Sequence, residues 1–125
     1  MRACDMNCNC HIFHEETLNK VKSDILNDNE IENIVEFFKI IADFTRLKIL
    51  EAIKDEELCV CDLAHLLGVT KSAISHQMRV FKEHNLVVSN KKGKMVYYRL
   101  NEGFVATVIK KVDEYIRGNK DEKND

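Results

Sequence analysis

The stretch Asp62-Leu63-Ala64-His65-Leu66-Leu67-Gly68-Val69-Thr70-Lys71-Ser72-Ala73-Ile74-Ser75-His76-Gln77-Met78-Arg79 decides the fold. Asp62 to Leu67 reads as a short helix that stops at Gly68, a residue suited to the left-handed conformation that closes a helix. Val69 follows, and Thr70 is placed to N-cap a longer helix running to about His84-Asn85. Ile74, Met78 and Phe81 fall at i, i+4 and i+7 of that helix and predict a core-facing stripe. A short helix, a tight glycine turn and a longer helix make a helix-turn-helix.

The flanks extend this pattern. Residues 86–90 (LVVSN) and 95–100 (MVYYRL) are rich in β-branched and aromatic residues. They enclose Lys91-Lys92-Gly93-Lys94, so a β-hairpin follows the longer helix. Upstream, Ile31, Ile34, Val35, Phe38 and Ile41 form one helical face. After a break around Asp43-Phe44-Thr45, Leu47, Leu50 and Ile53 continue a second helix. Downstream, Phe104, Val105, Val108, Ile109, Val112, Tyr115 and Ile116 predict a last amphipathic helix. The expected fold is mainly α with a β-hairpin wing, a winged helix-turn-helix.

Composition fits this class. The chain has 125 residues, 32% of them charged, and no proline. That length suits one domain with its own core. No apolar run approaches the ~20 residues of a spanning helix, and the first twenty residues contain no secretory core. We therefore expect a cytoplasmic protein without a membrane partner. The five cysteines are then metal ligands or redox thiols rather than disulfides. There is no Gly-rich phosphate loop, nucleophile elbow or paired-carboxylate constellation, so an enzyme is not expected.

Charge separates along the chain. From Thr70 to Arg99 the basic residues are Lys71, Arg79, Lys82, Lys91, Lys92, Lys94 and Arg99, against the single acid Glu83. The segment is +6 within a total of −2, leaving −8 elsewhere. Opposite the core stripe of the longer helix stand Ser72, Ser75, His76 and Arg79. Hydroxyls and a guanidinium on one face suit a helix laid in a major groove. Lys91, Lys92 and Lys94 crowd a hairpin where a wing can reach phosphates. A metal-binding chaperone without DNA affinity would not require this +6 segment. The first and last long helices carry more apolar surface than one small winged helix needs, which predicts a two-fold dimer on a palindromic operator.

The thiols form two groups. Cys59-Val60-Cys61 lies at the start of the third helix and can direct two ligands to one soft cation, short of a complete site. Cys4, Cys8 and Cys10, with His11 and His14 as auxiliary candidates, crowd a polar arm with little to pack against. His65 reads as a surface residue. The expected layout is a flexible Cys/His-rich metal-binding arm at 1–17, a DNA-binding and dimerisation domain at 18–117, and a polar tail at 118–125.

Glu57-Leu58-Cys59-Val60-Cys61-Asp62-Leu63-Ala64, Leu67-Gly68-Val69-Thr70 and Ser72-Ala73-Ile74-Ser75-His76-Gln77-Met78 together resemble the ArsR/SmtB family of metal-responsive repressors. The resemblance runs from about Ile34 to Leu100. It implies a homodimeric repressor that leaves its operator when metal binds, with Lys71, Ser72, Ser75, His76 and Arg79 at the DNA-reading positions. Arsenic-sensing members carry a third cysteine where this chain has Ala64. Phe13 to Val21 resembles the segment after the arm cysteines of cadmium- and lead-sensing CadC-type members, which donate arm thiolates across the dimer. That register places Cys8 on an arm ligand and Ile12 on the second, so Cys10 or Cys4 stands in for it.

The inducer implied is Cd(II), Pb(II) or Zn(II), with no organic cofactor. A second family site on the last helix maps to Glu102, Phe104, Tyr115 and Gly118; only Glu102 can bind metal, so its loss is expected. The alternatives are a thiol-redox or an arsenite-sensing repressor of the same fold.

Overall fold

The computed structural model describes residues 14–123, with side chains through Gly118. Two compact units are distinguished, residues 1–38 and 39–125.

In the first unit, α1 (Glu15–Asp24) opens with two acids, Glu15 and Glu16, which complement the positive end of the helix dipole. α2 (Asp28–Ile41) begins with a reciprocal capping box. Glu30 N–H donates to Asn27 Oδ1 at 2.8 Å, and Asn27 N–H to Glu30 Oε1 at 3.0 Å. The boundary between the units falls inside α2. Leu18 and Val21 on α1, Ile25 at its C-cap, and Ile31, Ile34, Val35 and Phe38 on α2 are exposed.

The second unit holds the core. α3 (Phe44–Ala52) is N-capped by Asp43, whose carboxylate accepts from Arg46 N–H at 3.0 Å. β1 (Leu58–Cys59) leads directly into α4 (Val60–Leu67), α5 (Lys71–Glu83), β2 (Val87–Lys92), β3 (Met95–Leu100) and α6 (Phe104–Lys123). The sheet is antiparallel in the order β1-β3-β2. Leu58 pairs with Tyr98 and Cys59 with Tyr97, and Tyr97 pairs in turn with Asn90. Phe81, Ile49, Leu50, Ile53, Leu63, Ile74, Met78 and Ile109 are fully buried. This is the winged helix-turn-helix expected from the sequence.

The turn chemistry follows from the residues. Gly68 closes α4 at φ +70, and its N–H and that of Val69 both return to Ala64 O, at 2.9 and 3.1 Å. Thr70 Oγ1 accepts from Ala73 N–H at 3.1 Å and starts α5. Gly93 takes φ +64 in the hairpin loop, as its missing Cβ permits.

Four boundaries differ from the sequence reading. Glu15, Glu16 and Thr17, assigned above to the arm, belong to α1, because the two acids complement its start and no glycine or proline follows before Asp24 to break it. The third helix starts at Val60, two residues early, because Asp62 at its third position accepts from Cys59 N–H. The hairpin loop is two residues: Lys91 and Lys92 complete β2, pairing with Val96 and Met95. The polar tail assigned to 118–125 continues α6 to Lys123, since RGNKDEK contains no proline to stop it.

Candidate metal and nucleic-acid sites

Cys59 occupies the N-cap of α4 and is buried, held by its pairing with Tyr97 on β3. Asp62 stands one turn on. Its carboxylate accepts from Cys59 N–H and from Cys59 Sγ–H, both at 3.1 Å. These bonds, the thiol's first and the backbone's second, hold the Asp62 carboxyl below its usual range. The sequence reading missed Asp62, although an acid three residues after an N-cap is a recognisable pattern.

Cys61 is exposed and, like Cys59, outside any disulfide. Ala64, which stands where arsenic sensors carry a third thiol, is buried. Among the described residues no three or more His, Cys, Asp or Glu side chains converge to hold a metal. Cys4, Cys8, Cys10 and His11 lie outside the described residues, and His14 is exposed beside α1. Soft thiols beside a carboxylate at a helix N-terminus suit part of a thiophilic-cation site, and further donors are needed to complete it.

The longer helix is split as its stripes require. Ile74, Met78 and Phe81 are buried, while Lys71, Ser72, Ser75, His76 and Arg79 are exposed. α4 packs on α5, so the helix bearing the thiols touches the helix bearing the polar stripe. A contact the sequence did not reveal fixes α5 from behind. Arg46 Nε on α3 donates to Gln77 Oε1 at 2.9 Å, in a partly buried position. His84, beyond the end of α5, donates from Nδ1 to Val80 O at 3.0 Å.

The hairpin lysines are exposed, but they are not equivalent. Lys92 Nζ lies 2.8 Å from Glu57 Oε1 and 5.2 Å from the Tyr97 ring centroid. Its ammonium holds the Glu57 carboxyl below its usual range, and Glu57 in turn raises Lys92. On the last helix, Glu102, Phe104, Tyr115 and Gly118 are exposed. Among the described residues no helix is long and apolar enough to cross a membrane.

Residues 43–89 match the model of the family described as bacterial regulatory protein, arsR family. The SmtB homologue transcriptional repressor of Synechocystis is 33% identical over 88% of this chain and 83% of its own length. The chain belongs to the ArsR/SmtB family. The cadmium resistance transcriptional regulatory protein CadC of Listeria innocua is 38% identical over 76% of each chain. Among solved structures, the AntR antimony-specific transcriptional repressor superposes with a TM-score of 0.69 at 26% identity, over 78% of this chain and 89% of that one. ArsR/SmtB proteins are transcriptional regulators rather than enzymes. Their helix-turn-helix binds DNA, they commonly dimerise, and the family includes metal-responsive repressors.

Proposed function

We propose that this ArsR/SmtB protein is a cytoplasmic homodimeric repressor that binds a palindromic operator and releases it on capture of Cd(II), Pb(II) or Zn(II), derepressing metal resistance or efflux genes. One observation carries the reading. The Cys59-x-Cys61 pair begins α4, and α4 packs on the helix that exposes Lys71, Ser72, Ser75, His76 and Arg79.

Those five side chains would read the major groove, and Lys91 and Lys94 would approach flanking phosphates with Lys92 beside them. The exposed apolar faces of α2 and of α6, where Phe104, Val112, Tyr115 and Ile116 are uncovered, supply surface for a two-fold partner. A bound thiophilic cation would neutralise and cross-link thiolates. Cys59 and Cys61 would hold it together with Cys8, and with Cys10 or Cys4, on the arm of the other protomer. Drawing the arm onto α4 biases the dimer toward a geometry with poor operator fit, and a coupling of ~1–3 kcal/mol is sufficient. The arsenite alternative loses support at Ala64, which offers no third thiol on the helix. The last-helix site is lost in this reading, since Phe104, Tyr115 and Gly118 have no metal-binding side chain.

The test is Cd(II) titration of wild type and single Cys→Ser variants, followed by ultraviolet thiolate-to-metal charge transfer and by mobility shift on the protein's own upstream DNA. Cys8→Ser and Cys59→Ser should retain DNA binding and lose release by Cd(II). Normal release in both would refute the site. Release by peroxide or diamide without metal would establish the thiol-redox alternative instead.

A further inference from the structure

Glu57 lies two residues before Cys59, yet its carboxylate is committed to the wing. Lys92 Nζ sits 2.8 Å from Oε1, and Asn90 Nδ2 donates to Oε2 at 3.5 Å. Cys59, Tyr97 and Asn90 form one row across β1, β3 and β2. Glu57 lies two residues to one side of that row and Lys92 two residues to the other, so the pair meets diagonally across β3 through two long side chains, with Lys92 over the Tyr97 ring. Among the described residues, Glu57 is the acid bonded to a wing lysine, and neither Lys91 nor Lys94 pairs with an acid.

We propose that Glu57 is a positioning residue that sets operator affinity by competing with DNA phosphate for Lys92. The inference rests on the reading that the wing contacts DNA. The pair is suited to competition rather than to locking the wing. The Lys92 side chain is 55% exposed and that of Glu57 28%. An ion pair so open to water contributes little to stability, so a phosphate can displace the carboxylate. While Glu57 accompanies it, Lys92 neutralises less than one phosphate charge. The segment that carries the proposed inducer thiol thus also limits the grip of the wing.

The experiment uses the full chain and a duplex selected from a random pool by the wild-type protein, with affinity measured by fluorescence anisotropy across a salt series. Glu57→Gln keeps the size of the side chain and removes its charge. It should bind more tightly than wild type. With one lysine freed per protomer, the slope of log affinity against log salt should steepen by up to about 1.8. The advantage of the variant should then shrink roughly tenfold between about 50 and 200 mM salt. Lys92→Gln should weaken binding more in the Glu57→Gln background than in wild type, a coupling that a merely structural role would not produce. Matching urea midpoints show that each variant is folded. An unchanged or shallower slope in Glu57→Gln, or equal effects of Lys92→Gln in both backgrounds, overturns the inference. A Lys91→Gln/Lys94→Gln variant that binds like wild type overturns the wing reading beneath it, and so identifies which of the two has failed.

Discussion

Helix α5 should be separable by mutation into a stability face and a DNA face. Phe81 is fully buried on it, and Arg79, two residues earlier, is exposed. Phe81→Ala removes a ring from a packed site and leaves a cavity, at a cost of about 3–5 kcal/mol. Against a total of roughly 5–15 kcal/mol for a domain, that is a large share. Should that variant fail to fold, Ile74→Val on the same buried stripe gives the milder form, about 0.5–1.5 kcal/mol. Arg79→Gln should leave the urea midpoint within about 0.5 kcal/mol of wild type, as surface changes do. Its operator affinity should fall by about 1–3 kcal/mol per half-site. The assays are urea unfolding at one fixed protein concentration, because dimerisation makes stability depend on concentration, and anisotropy with the selected duplex. The Ile74→Val protein, where folded, should bind DNA as wild type does. A stability loss in Arg79→Gln comparable to that of Ile74→Val, or an unaltered DNA affinity in Arg79→Gln, would refute the assignment of faces.

Two further changes probe the supports of the fold. Burial first, and a hydrogen bond with Asp113 second, raise the Glu51 carboxyl above its ordinary 4.5. Folding therefore binds this proton more tightly, a contribution fully present below 4.5 and lost as pH rises through the raised value. The Glu51 bond, and Lys54 at 2.7 Å, lower Asp113, whose contribution has the opposite sign. Glu51→Gln offers Asp113 an N–H that needs no titration, so its stability should gain on wild type as pH rises from about 4.5. Parallel urea-midpoint profiles for the two proteins would contradict this. At Gly68 an added Cβ would meet nothing within 4 Å, but φ is +70. Gly68→Ala should therefore cost about 1–2 kcal/mol through backbone strain alone, and Gly68→Asn less, read as shifts in urea midpoint at unchanged slope.

What was legible in the sequence was local. Gly68 and Thr70 mark a helix end and a helix start by their own backbone and side-chain chemistry. Ile74, Met78 and Phe81 declare a buried face by spacing alone. β1 could not be read that way, because two residues, Leu58 and Cys59, become a strand only by pairing with Tyr98 and Tyr97 some forty positions away. The early start of α4 was hidden for a related reason: Cys59 is not a usual N-cap residue, and Asp62 supplies the bond that stabilises the turn. At the candidate sites the residue types were visible, but their partners were not. Nothing in the order of residues ties Glu57 to Lys92, or Arg46 to Gln77, since each pair meets only after the sheet and the helices have assembled.

The position of Cys59 bears on how capture of a cation could be felt at the DNA. It is both a member of β1 and the N-cap of α4, so no loop separates the thiol from either element. α4 then runs to Gly68, and only Val69 and Thr70 stand between that residue and α5. A displacement imposed at Cys59 meets a buried thiol, a strand pair and a closed helix turn, none of which can absorb it as a flexible loop would. Packed elements of this kind shift as units. On the proposed reading, the movement passes to α5 through its contact with α4, and to the wing through the ladder from Cys59 to Tyr97 to Asn90. Cys61, exposed on the first turn of α4, is free to orient toward a donor from outside the unit. On the proposed reading the pair divides its labour: one thiol is anchored in the strand and helix that position α5, and the other is left exposed for a further donor.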